Sequence, residues 1–390
     1  MSNALGGASI DKVLHIITDL GQGGAEAVLY RLIGVTRNVF RHAVVSLHEE
    51  GFYGQQLREL GVPVTALGMR RGYLSIEGLR RLQRIIAEYR PRVMQTRLDH
   101  ANLVGGLMAR FAGAPPVVWA VHSTDLGPLR TSWKTRIVRR FCAQLSDAVP
   151  RSIVSDARSS AALHAKIGFS AAKLLVVPNG VDPMLFRPDR EARARIRALW
   201  GVARDEILLG CVARWDPLKD HENLVRAVRH LSDRGRRFRC ALVGKGMNAQ
   251  NQELLRLIQR WGVAERLILA GASGEVAAVM NALDIHVLPS RSESLPVAVL
   301  EAMACGTACV VTDVGDARHI VAQTGWIARP QDSAALAAAI EAALRECQPG
   351  TQEQRSAQCR ARIIREFSLD RMGAEYAALW RRAAGNQRGA

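Results

Sequence analysis

The chain has 390 residues, too many for one ordinary hydrophobic core, so two globular domains are expected. No apolar run approaches the roughly 20 residues that span a bilayer and no signal peptide is visible, which predicts a cytoplasmic protein without a membrane span. The net charge of +17, most of it in residues 1–190, suits phosphates, nucleic acid or an anionic membrane surface without choosing among them.

The first predicted element is a strand at Val13–Ile17, after a short N-terminal stretch, residues 1–9, that is expected to fray. Gly21, Gly23 and Gly24 follow it, and a helix begins directly after them. A strand, a glycine turn and a helix start let the backbone approach an anion or a sugar closely. The spacing is not the dinucleotide fingerprint GxGxxG, and an ordinary structural turn remains the alternative.

Strands and helices then alternate up to residue 124, which predicts a parallel, doubly wound α/β sheet. The predicted strands are residues 42–47, 62–67, 93–96 and 117–124, and the predicted helices are residues 53–60, 75–89 and 100–113. Ligands of such sheets bind at the carboxyl ends of the strands. His122 lies at such an end, although a lone histidine there is more often a loop or capping residue.

Residues 129–141 predict a basic, partly amphipathic helix. Its cations are Arg130, Lys134, Arg136, Arg139 and Arg140, and its large apolar residues are Trp133, Ile137 and Phe141. One interpretation is a surface that docks on anionic lipid or on a lipid-diphosphate acceptor. The other is a solvated helix whose apolar side chains lie in the core.

The segment 174–188, LLVVPNGVDPMLFRP, contains three prolines and an Asn-Gly turn, and predicts a linker. The first domain is therefore placed at residues 1–187 and the second at 188–370, with a final helical segment at 371–390. A charged helix at 191–200 opens the second domain.

The second domain repeats the strand, turn and helix pattern at Arg214 and Lys219. A buried strand runs into Arg214, Asp216 and Pro217 form a turn, and Lys219 stands just before a helix that starts near Glu222. Two cations at such a turn can neutralise a diphosphate, although either cation alone is common at a surface.

The stretch from Pro289 to Asp316 reads PSRSESLPVAVLEAMACGTACVVTDVGD. It predicts the end of a strand, a polar loop, a helix with Pro296 at its first position, and a stop at Gly306. Glu293 lies in the loop, and Glu301 lies about five residues into the helix, roughly 7.5 Å further along the helix axis.

The helix start favours phosphate, while carboxylates accept hydrogen bonds from sugar hydroxyls. The stretch therefore predicts a nucleotide-sugar site, formed by Glu293, Leu295, Pro296, Val297 and Glu301. The alternative is that Glu293 caps the helix and Glu301 lies on its solvated face.

Glu-x7-Glu followed by AMACG, with Pro-Ser three residues before the first Glu, resembles the donor-site signature of family 4 retaining glycosyltransferases. The glycine loop, the strand-end histidine, PNGVD and the Arg/Lys turn occur in the order found in that family. The resemblance implies a GT-B fold, in which two Rossmann-like domains face a cleft and the last helix crosses back onto the first domain. The chain departs from the family at His319, where glutamate is common.

The resemblance also implies roles for individual residues. Gly23 and Gly24 would lie beside the donor diphosphate and the acceptor, and His122 near the reacting carbon. Arg214 and Lys219 would hold the diphosphate, Glu293 the transferred sugar and Glu301 the ribose, while the Gly244 loop would frame the base. The expected catalytic residues are His122, Arg214, Lys219 and Glu293.

The expected function is a retaining transfer from a UDP- or GDP-sugar to a glycan or polyprenyl-diphosphate-linked acceptor, in cell-surface polysaccharide assembly. No cofactor or metal is expected, since the sequence has no Asp-x-Asp and no His/Cys cluster with ligand spacing. Peripheral contact with an anionic membrane is expected, and no specific nucleic acid. The alternatives are a GT-B relative with epimerase or phosphorylase chemistry, a binding protein without turnover, and a basic nucleic-acid binder. The last is disfavoured because the sequence has no basic patch interleaved with aromatic residues.

Overall fold

The computed structural model describes residues 11–70, 73, 75–111, 115–122, 132–346 and 350–385. The N-terminal stretch 1–9 and residues 129–131 of the predicted basic helix lie outside these residues. The chain forms two compact units, one made of Met1–Pro178 and Leu369–Ala390, the other of Asn179–Ser368.

The unit boundary follows Pro178 and so lies earlier than the boundary expected at residue 187. Residues 179–187 belong to the second unit because their backbone bonds to its last helix. The N–H of Val181 donates to Phe367 O at 2.9 Å, and Arg360 Nη1 donates to Phe186 O at 2.9 Å.

Unit 1 contains a seven-stranded parallel sheet in the order β3-β2-β1-β4-β5-β6-β7. Its elements are β1 (Lys12–Ile17), α1 (Gly24–Thr36), β2 (Arg41–Ser46), α2 (Gly51–Glu59), β3 (Val64–Ala66), α3 (Ile76–Tyr89), β4 (Val93–Arg97), α4 (Asp99–Phe111), β5 (Val117–Val121), α5 (Trp133–Leu145), β6 (Ser152–Ser155), α6 (Arg158–Lys166) and β7 (Leu174–Val176). Strands such as Val117–Val121 are buried along their whole length, because helices cover both faces of the sheet.

Unit 2 contains a six-stranded parallel sheet in the order β10-β9-β8-β11-β12-β13. Its elements are α7 (Arg190–Leu199), β8 (Leu208–Val212), α8 (His221–Asp233), β9 (Arg239–Val243), α9 (Gln252–Trp261), β10 (Leu267–Gly271), α10 (Val276–Ala282), β11 (Ile285–Leu288), α11 (Val297–Ala304), β12 (Ala308–Thr312), α12 (Ala317–Val321), β13 (Trp326–Ala328), α13 (Ser333–Glu346) and α14 (Gln352–Phe367). Both units confirm the doubly wound α/β class.

The last helix, α15 (Leu369–Ala383), packs on unit 1. Trp380 lies edge-on to Phe40, with ring centroids 5.2 Å apart, and its Nε1 donates to Gln95 Oε1 on β4 at 3.0 Å. Because the indole is fully buried and its N–H is satisfied, this contact anchors the helix on the sheet. Among the described residues, no helix has the length and apolar character needed to cross a bilayer.

His286 on β11 is fully buried, and neither of its ring nitrogens has a hydrogen-bond partner among the described residues. Burial, and secondarily the charge of Lys219, lowers the pKa of His286 to about 4. Its ordinary pKa is about 6.5, so between these two values the unfolded chain binds a proton that the folded chain does not. The stability contributed by neutral His286 is therefore present above pH 6.5 and is lost as the pH falls towards 4.

We expect the free energy of unfolding to fall by about 3 kcal/mol between pH 6.5 and 4 through this residue alone. Urea unfolding of the wild type and of His286→Leu at pH 7 and pH 4.5 measures this contribution. The variant should lose less stability on acidification, because leucine cannot take up a proton in the unfolded state. Equal losses in the two proteins would contradict the prediction.

Candidate functional site

Most of the predicted site residues of unit 2 follow the carboxyl ends of β8 and β11, and Gly244 follows β9. Strands β8 and β11 are neighbours, and the strand order reverses between them. Such a switch point leaves a crevice above the sheet edge, where open α/β sheets bind their ligands. Arg214 and Lys219 follow β8, and Glu293 follows β11, so the fold brings the two predicted segments to one edge.

The turn after β8 is held by local hydrogen bonds. Asp216 Oδ1 accepts from the N–H of Leu218 at 2.9 Å and caps a 3-10 turn, Pro217–Lys219. Asp220 then adopts a φ of 48° and turns the chain into α8. His221 on α8 lies 3.0 Å, through Nε2, from Arg214 O, which ties the helix start back to the strand end. Lys219 is therefore presented from a fixed turn.

Lys219 and Glu293 are in direct contact. Lys219 Nζ lies 2.6 Å from Glu293 Oε1, and Ser290 Oγ donates to the same oxygen at 2.7 Å. Both side chains are mostly buried, with exposures of 22% and 10%, so the pair is screened less than a surface ion pair. The sequence interpretation placed these residues on different parts of one ligand, whereas the structure sets a cation and a carboxylate side by side. Together they offer a donor for phosphate and an acceptor for hydroxyls.

Two residues that the sequence interpretation missed join the loops after β8 and β11. The N–H of Arg291 donates to Leu218 O at 2.7 Å, and Arg291 Nη2 lies 2.8 Å from Asp220 Oδ1. These bonds hold the Glu293 loop against the Lys219 turn. Neither residue shows a spacing or pattern that would have distinguished it in the sequence.

Helix α11 begins at Val297, so Pro296 occupies the N-cap and not the first helical position. The ψ of Pro296 is 96°, which belongs to extended backbone, so this residue is not helical. Pro296 itself has no side-chain group that could cap the helix. Glu301 is the fifth residue of α11, as predicted, and its burial contradicts the alternative of a solvated face.

Leu295 is buried directly before the helix start. Residues 295–297 thus lie at the start of α11, where the first N–H groups of a helix have no partner within the helix. Their predicted contact with the donor stays a prediction.

Arg214 is 66% exposed, and its Nη2 lies 3.0 Å from Asp216 Oδ2. An exposed ion pair of this kind contributes little stability, so the guanidinium can exchange its partner at small cost. Two glycines pack on the backbone of this site. A Cβ at Gly244 would lie 2.2 Å from Ala213 O, and a Cβ at Gly315, which the sequence interpretation missed, would lie 2.3 Å from Glu293 O.

The predicted glycines of unit 1 follow β1, at the switch point between β1 and β4, and His122 follows β5. Gly24 opens α1, and a Cβ at Gly23 would lie 2.1 Å from Glu26 Oε2. A side chain at position 23 would therefore displace the Glu26 carboxylate from its place over Gly23. Burial raises the pKa of Glu26, and the nearby charge of Arg97 partly offsets this rise. Glu26 and Arg97 were not singled out in the sequence.

His122 directly follows β5 and contacts two neighbouring strand ends. Arg97 Nη1, at the end of β4, lies 3.3 Å from His122 Nε2, and Asp156 Oδ2, after β6, lies 3.7 Å from His122 Nδ1. The structure thus groups Glu26, Arg97, His122 and Asp156 at the edge of the unit 1 sheet. Unit 1 holds Gly23, Gly24 and His122, and unit 2 holds Arg214, Lys219, Gly244, Glu293 and Glu301.

Helix α5 includes residues 133–141 of the predicted basic helix and contradicts the interpretation that its apolar side chains lie in the core. Trp133, Ile137 and Phe141, spaced at one helical turn, are 62%, 46% and 52% exposed. They therefore do not lie in the core. Arg136 and Arg140 flank this stripe and are also exposed, while Arg139 pairs with Asp99 at 2.8 Å.

His319 lies in α12, with its ring centroid 6.0 Å from that of Phe367. Its carbonyl oxygen accepts a hydrogen bond from Arg362 Nη2 at 2.6 Å. Within the part of the chain that the structure describes, no three His, Cys, Asp or Glu side chains are grouped so that they could hold a metal ion.

Two family models match the chain. The model described as Glycosyltransferase Family 4 matches residues 22–185, and the model described as Glycosyl transferases group 1 matches residues 206–346. Together the matched regions contain every predicted site residue.

Curated relatives match over much of the chain. The putative glycosyltransferase EpsF of Bacillus subtilis is 28% identical over 78% of the chain and 80% of its own length. The GDP-mannose-dependent alpha-(1-6)-phosphatidylinositol monomannoside mannosyltransferase of Mycolicibacterium smegmatis is 31% identical over 60% of the chain and 62% of its own length.

The crystal structure of Anabaena Alr3699/HepE in complex with UDP superimposes with a TM-score of 0.83. The alignment covers 94% of the chain and 99% of HepE, at 21% sequence identity. At this identity the likeness establishes the fold.

Proposed function

Because the chain belongs to the family 4 glycosyltransferases and has their GT-B fold of two Rossmann-like domains, we propose that it is a retaining, metal-independent hexosyltransferase. The donor is a UDP- or GDP-sugar. The acceptor is a glycan or a polyprenyl-diphosphate-linked saccharide at the cytoplasmic face of a membrane, in cell-surface polysaccharide assembly. The single observation that supports this proposal best is the Lys219–Glu293 pair at the switch point of unit 2.

The reaction exchanges one bond at the anomeric carbon. The bond from that carbon to the diphosphate oxygen breaks, the acceptor oxygen bonds to the same carbon on the same face, and the acceptor proton leaves on the diphosphate. Negative charge therefore grows on the diphosphate in the transition state. Lys219, Arg214 and the start of α11 supply positive charge for it, as oxyanion-type stabilisation requires.

The two carboxylates have different roles in this proposal. Glu293 accepts hydroxyl hydrogen bonds from the transferred sugar, and Glu301, eight residues later and buried on α11, accepts them from the ribose. Gly244 allows the loop after β9 to approach the base. The proposal includes both uracil and guanine as the base of the donor, because HepE was crystallised with UDP and the Mycolicibacterium smegmatis relative is named GDP-mannose-dependent.

A transfer assay with UDP-glucose and GDP-mannose in EDTA tests the proposal. One donor should release its nucleotide only when a glycan or polyprenyl-diphosphate acceptor is present, and NMR of the product should show the donor's anomeric configuration. Release without an acceptor, or an inverted product, would contradict it. A preparation that binds arbitrary DNA with steep salt dependence and binds no nucleotide sugar would instead support the nucleic-acid alternative.

We further propose that α5 holds the protein on an anionic membrane. Its exposed stripe of Trp133, Ile137 and Phe141 can enter the headgroup region, while the adjacent Arg136 and Arg140 meet lipid phosphates. Arg136, Arg139 and Arg140 also line a pocket of about 460 Å³ beside the stripe. A surface that combines apolar and basic side chains in this way fits a lipid interface better than bulk water.

Flotation with vesicles that contain anionic phospholipid should recover the wild type, and recovery should fall with rising salt or with neutral lipid alone. Ile137→Ser with Phe141→Ser should reduce binding at least about tenfold, because buried apolar area is worth about 25 cal/mol per Å². Phe52→Ser is the matched control, since Phe52 is 47% exposed on α2 of the same unit. Equal loss in the control and the α5 variant would refute the role of the stripe.

A further inference from the structure

Arg97 is the last residue of β4, at the switch point of the unit 1 sheet, and it is fully buried. Its guanidinium stays charged in any protein environment and can only donate hydrogen bonds. The described groups that act on it include His122, the ring of Tyr376 at 5.4 Å and, electrostatically, Glu26 and His15.

This arginine makes few hydrogen bonds for a buried charge. Nη1 lies 3.3 Å from His122 Nε2, while Nε and Nη2 have no partner among the described residues. Unpaired buried donors are costly, so this arrangement contributes little to stability. The next residue, Leu98, has a φ of 72°, which a branched side chain rarely adopts. Strain and unpaired donors at one sheet edge are typical of a functional position.

The contact with Arg97 fixes the protonation state of His122. Because the guanidinium only donates, Nε2 of His122 must be the acceptor and the ring proton must be on Nδ1. Asp156 Oδ2, 3.7 Å from Nδ1, favours a proton on that side. The distance between Nδ1 and Asp156 Oδ2 is too long for a hydrogen bond.

We propose that Arg97 is a positioning residue that holds His122 as a neutral imidazole with its proton on Nδ1. His122 then acts on the bound sugar as a hydrogen-bond donor and takes up no proton during transfer. The inference rests on the proposed function, in which the acceptor proton leaves on the diphosphate, so no lone pair of His122 is needed.

NMR of selectively ¹⁵N-histidine-labelled protein at pH 7.5 tests this directly, with His122→Gln to assign the signal. His48 provides an internal reference, because its Nδ1 donates to Met69 O at 2.7 Å and must carry a proton. In the wild type, His122 should show a protonated Nδ1, as His48 does, and an unprotonated Nε2. Arg97→Met should move the proton to Nε2 or charge the ring, and Arg97→Lys should restore the wild-type pattern.

A wild-type His122 that is charged or protonated on Nε2 would overturn the proposal, as would an unchanged tautomer in Arg97→Met. If the methionine variant does not fold, the wild-type spectrum decides alone. The Arg97→Met variant should also lower kcat about 10- to 100-fold, with little change in the KM for the donor. A wild type that turns over no nucleotide sugar would refute the proposed function, while the histidine spectrum would still decide the role of Arg97.

Arg197, which is also buried, is the matched control for folding. It donates to Ala203 O at 2.7 Å and to Ala282 O at 3.2 Å, and it pairs with Asp284 at 3.2 Å. Arg197→Met should therefore lower Tm much more than Arg97→Met does. An equal fall in Tm for the two variants would show that Arg97 is structural and would overturn the proposal.

Discussion

Lys219→Ala is expected to lower kcat about 10²- to 10³-fold, the loss found when one preorganised donor to a developing anion is removed. The turn Pro217–Lys219 and the contact with Glu293 hold the ammonium at the end of β8 before any ligand arrives. The transition state therefore gains its interaction without reorganisation. Initial rates with saturating donor and acceptor measure the effect, and circular dichroism checks that the variant is folded.

Arg229→Ala is the matched control for Lys219→Ala. Arg229 lies on α8, close in sequence to Lys219, and pairs with Asp233 at 2.6 Å on an exposed face. Arg229→Ala removes one positive charge, as Lys219→Ala does, so a general electrostatic effect would reduce kcat in both variants. We expect the control to keep its kcat, and a Lys219→Ala enzyme with wild-type kcat would exclude Lys219 from the reaction.

Glu301→Gln is expected to weaken binding of both the nucleoside diphosphate and the nucleotide sugar by about 10- to 100-fold. A hydrogen bond to a charged group contributes about 1.5–3 kcal/mol, and Glu301 is assigned to the ribose, which both ligands contain. Isothermal titration of the two ligands measures this. Because Glu301 is buried on α11, its substitution can change stability, so the Tm of the variant without ligand must be compared with that of the wild type.

Glu293→Gln separates the sugar contact from the ribose contact. It should weaken binding of the nucleotide sugar and leave binding of the free nucleoside diphosphate nearly unchanged, because only the former carries the transferred sugar. If both glutamine variants weaken both ligands equally, the division of roles between Glu293 and Glu301 is wrong.

The parts of the site that could be predicted from the sequence are those set by local chemistry. Hydrophobic runs that end at Arg214, at the loop of Glu293 and at His122 predicted strand ends, and the parallel sheets place these residues at carboxyl edges. The position of Glu301 in its helix was also right, because helical spacing follows from the sequence alone. The start of that helix was wrong by one residue, a boundary that depends on the ψ of Pro296.

Contacts between distant segments could not be predicted. The Lys219–Glu293 pair joins residues 74 positions apart, and the Arg97–His122 contact joins residues 25 apart. Arg97 looks like an ordinary strand-end cation in the sequence, since its burial depends on α15 and its neighbouring strands. The same holds for α5, whose spacing fits a buried or an exposed apolar face equally well, and only the fold decides that it is exposed.

Thermal unfolding in EDTA, with increasing UDP-glucose or GDP-mannose, tests the central claim most directly. A ligand that binds only the native protein stabilises it in proportion to the logarithm of its concentration, by about 2.7 kcal/mol at 100 times its Kd. We expect one of the two donors to raise Tm in this way without added metal, and Lys219→Ala to reduce the rise at the same donor concentrations. No shift with either donor, a shift that needs metal, or an undiminished shift in Lys219→Ala would contradict the account.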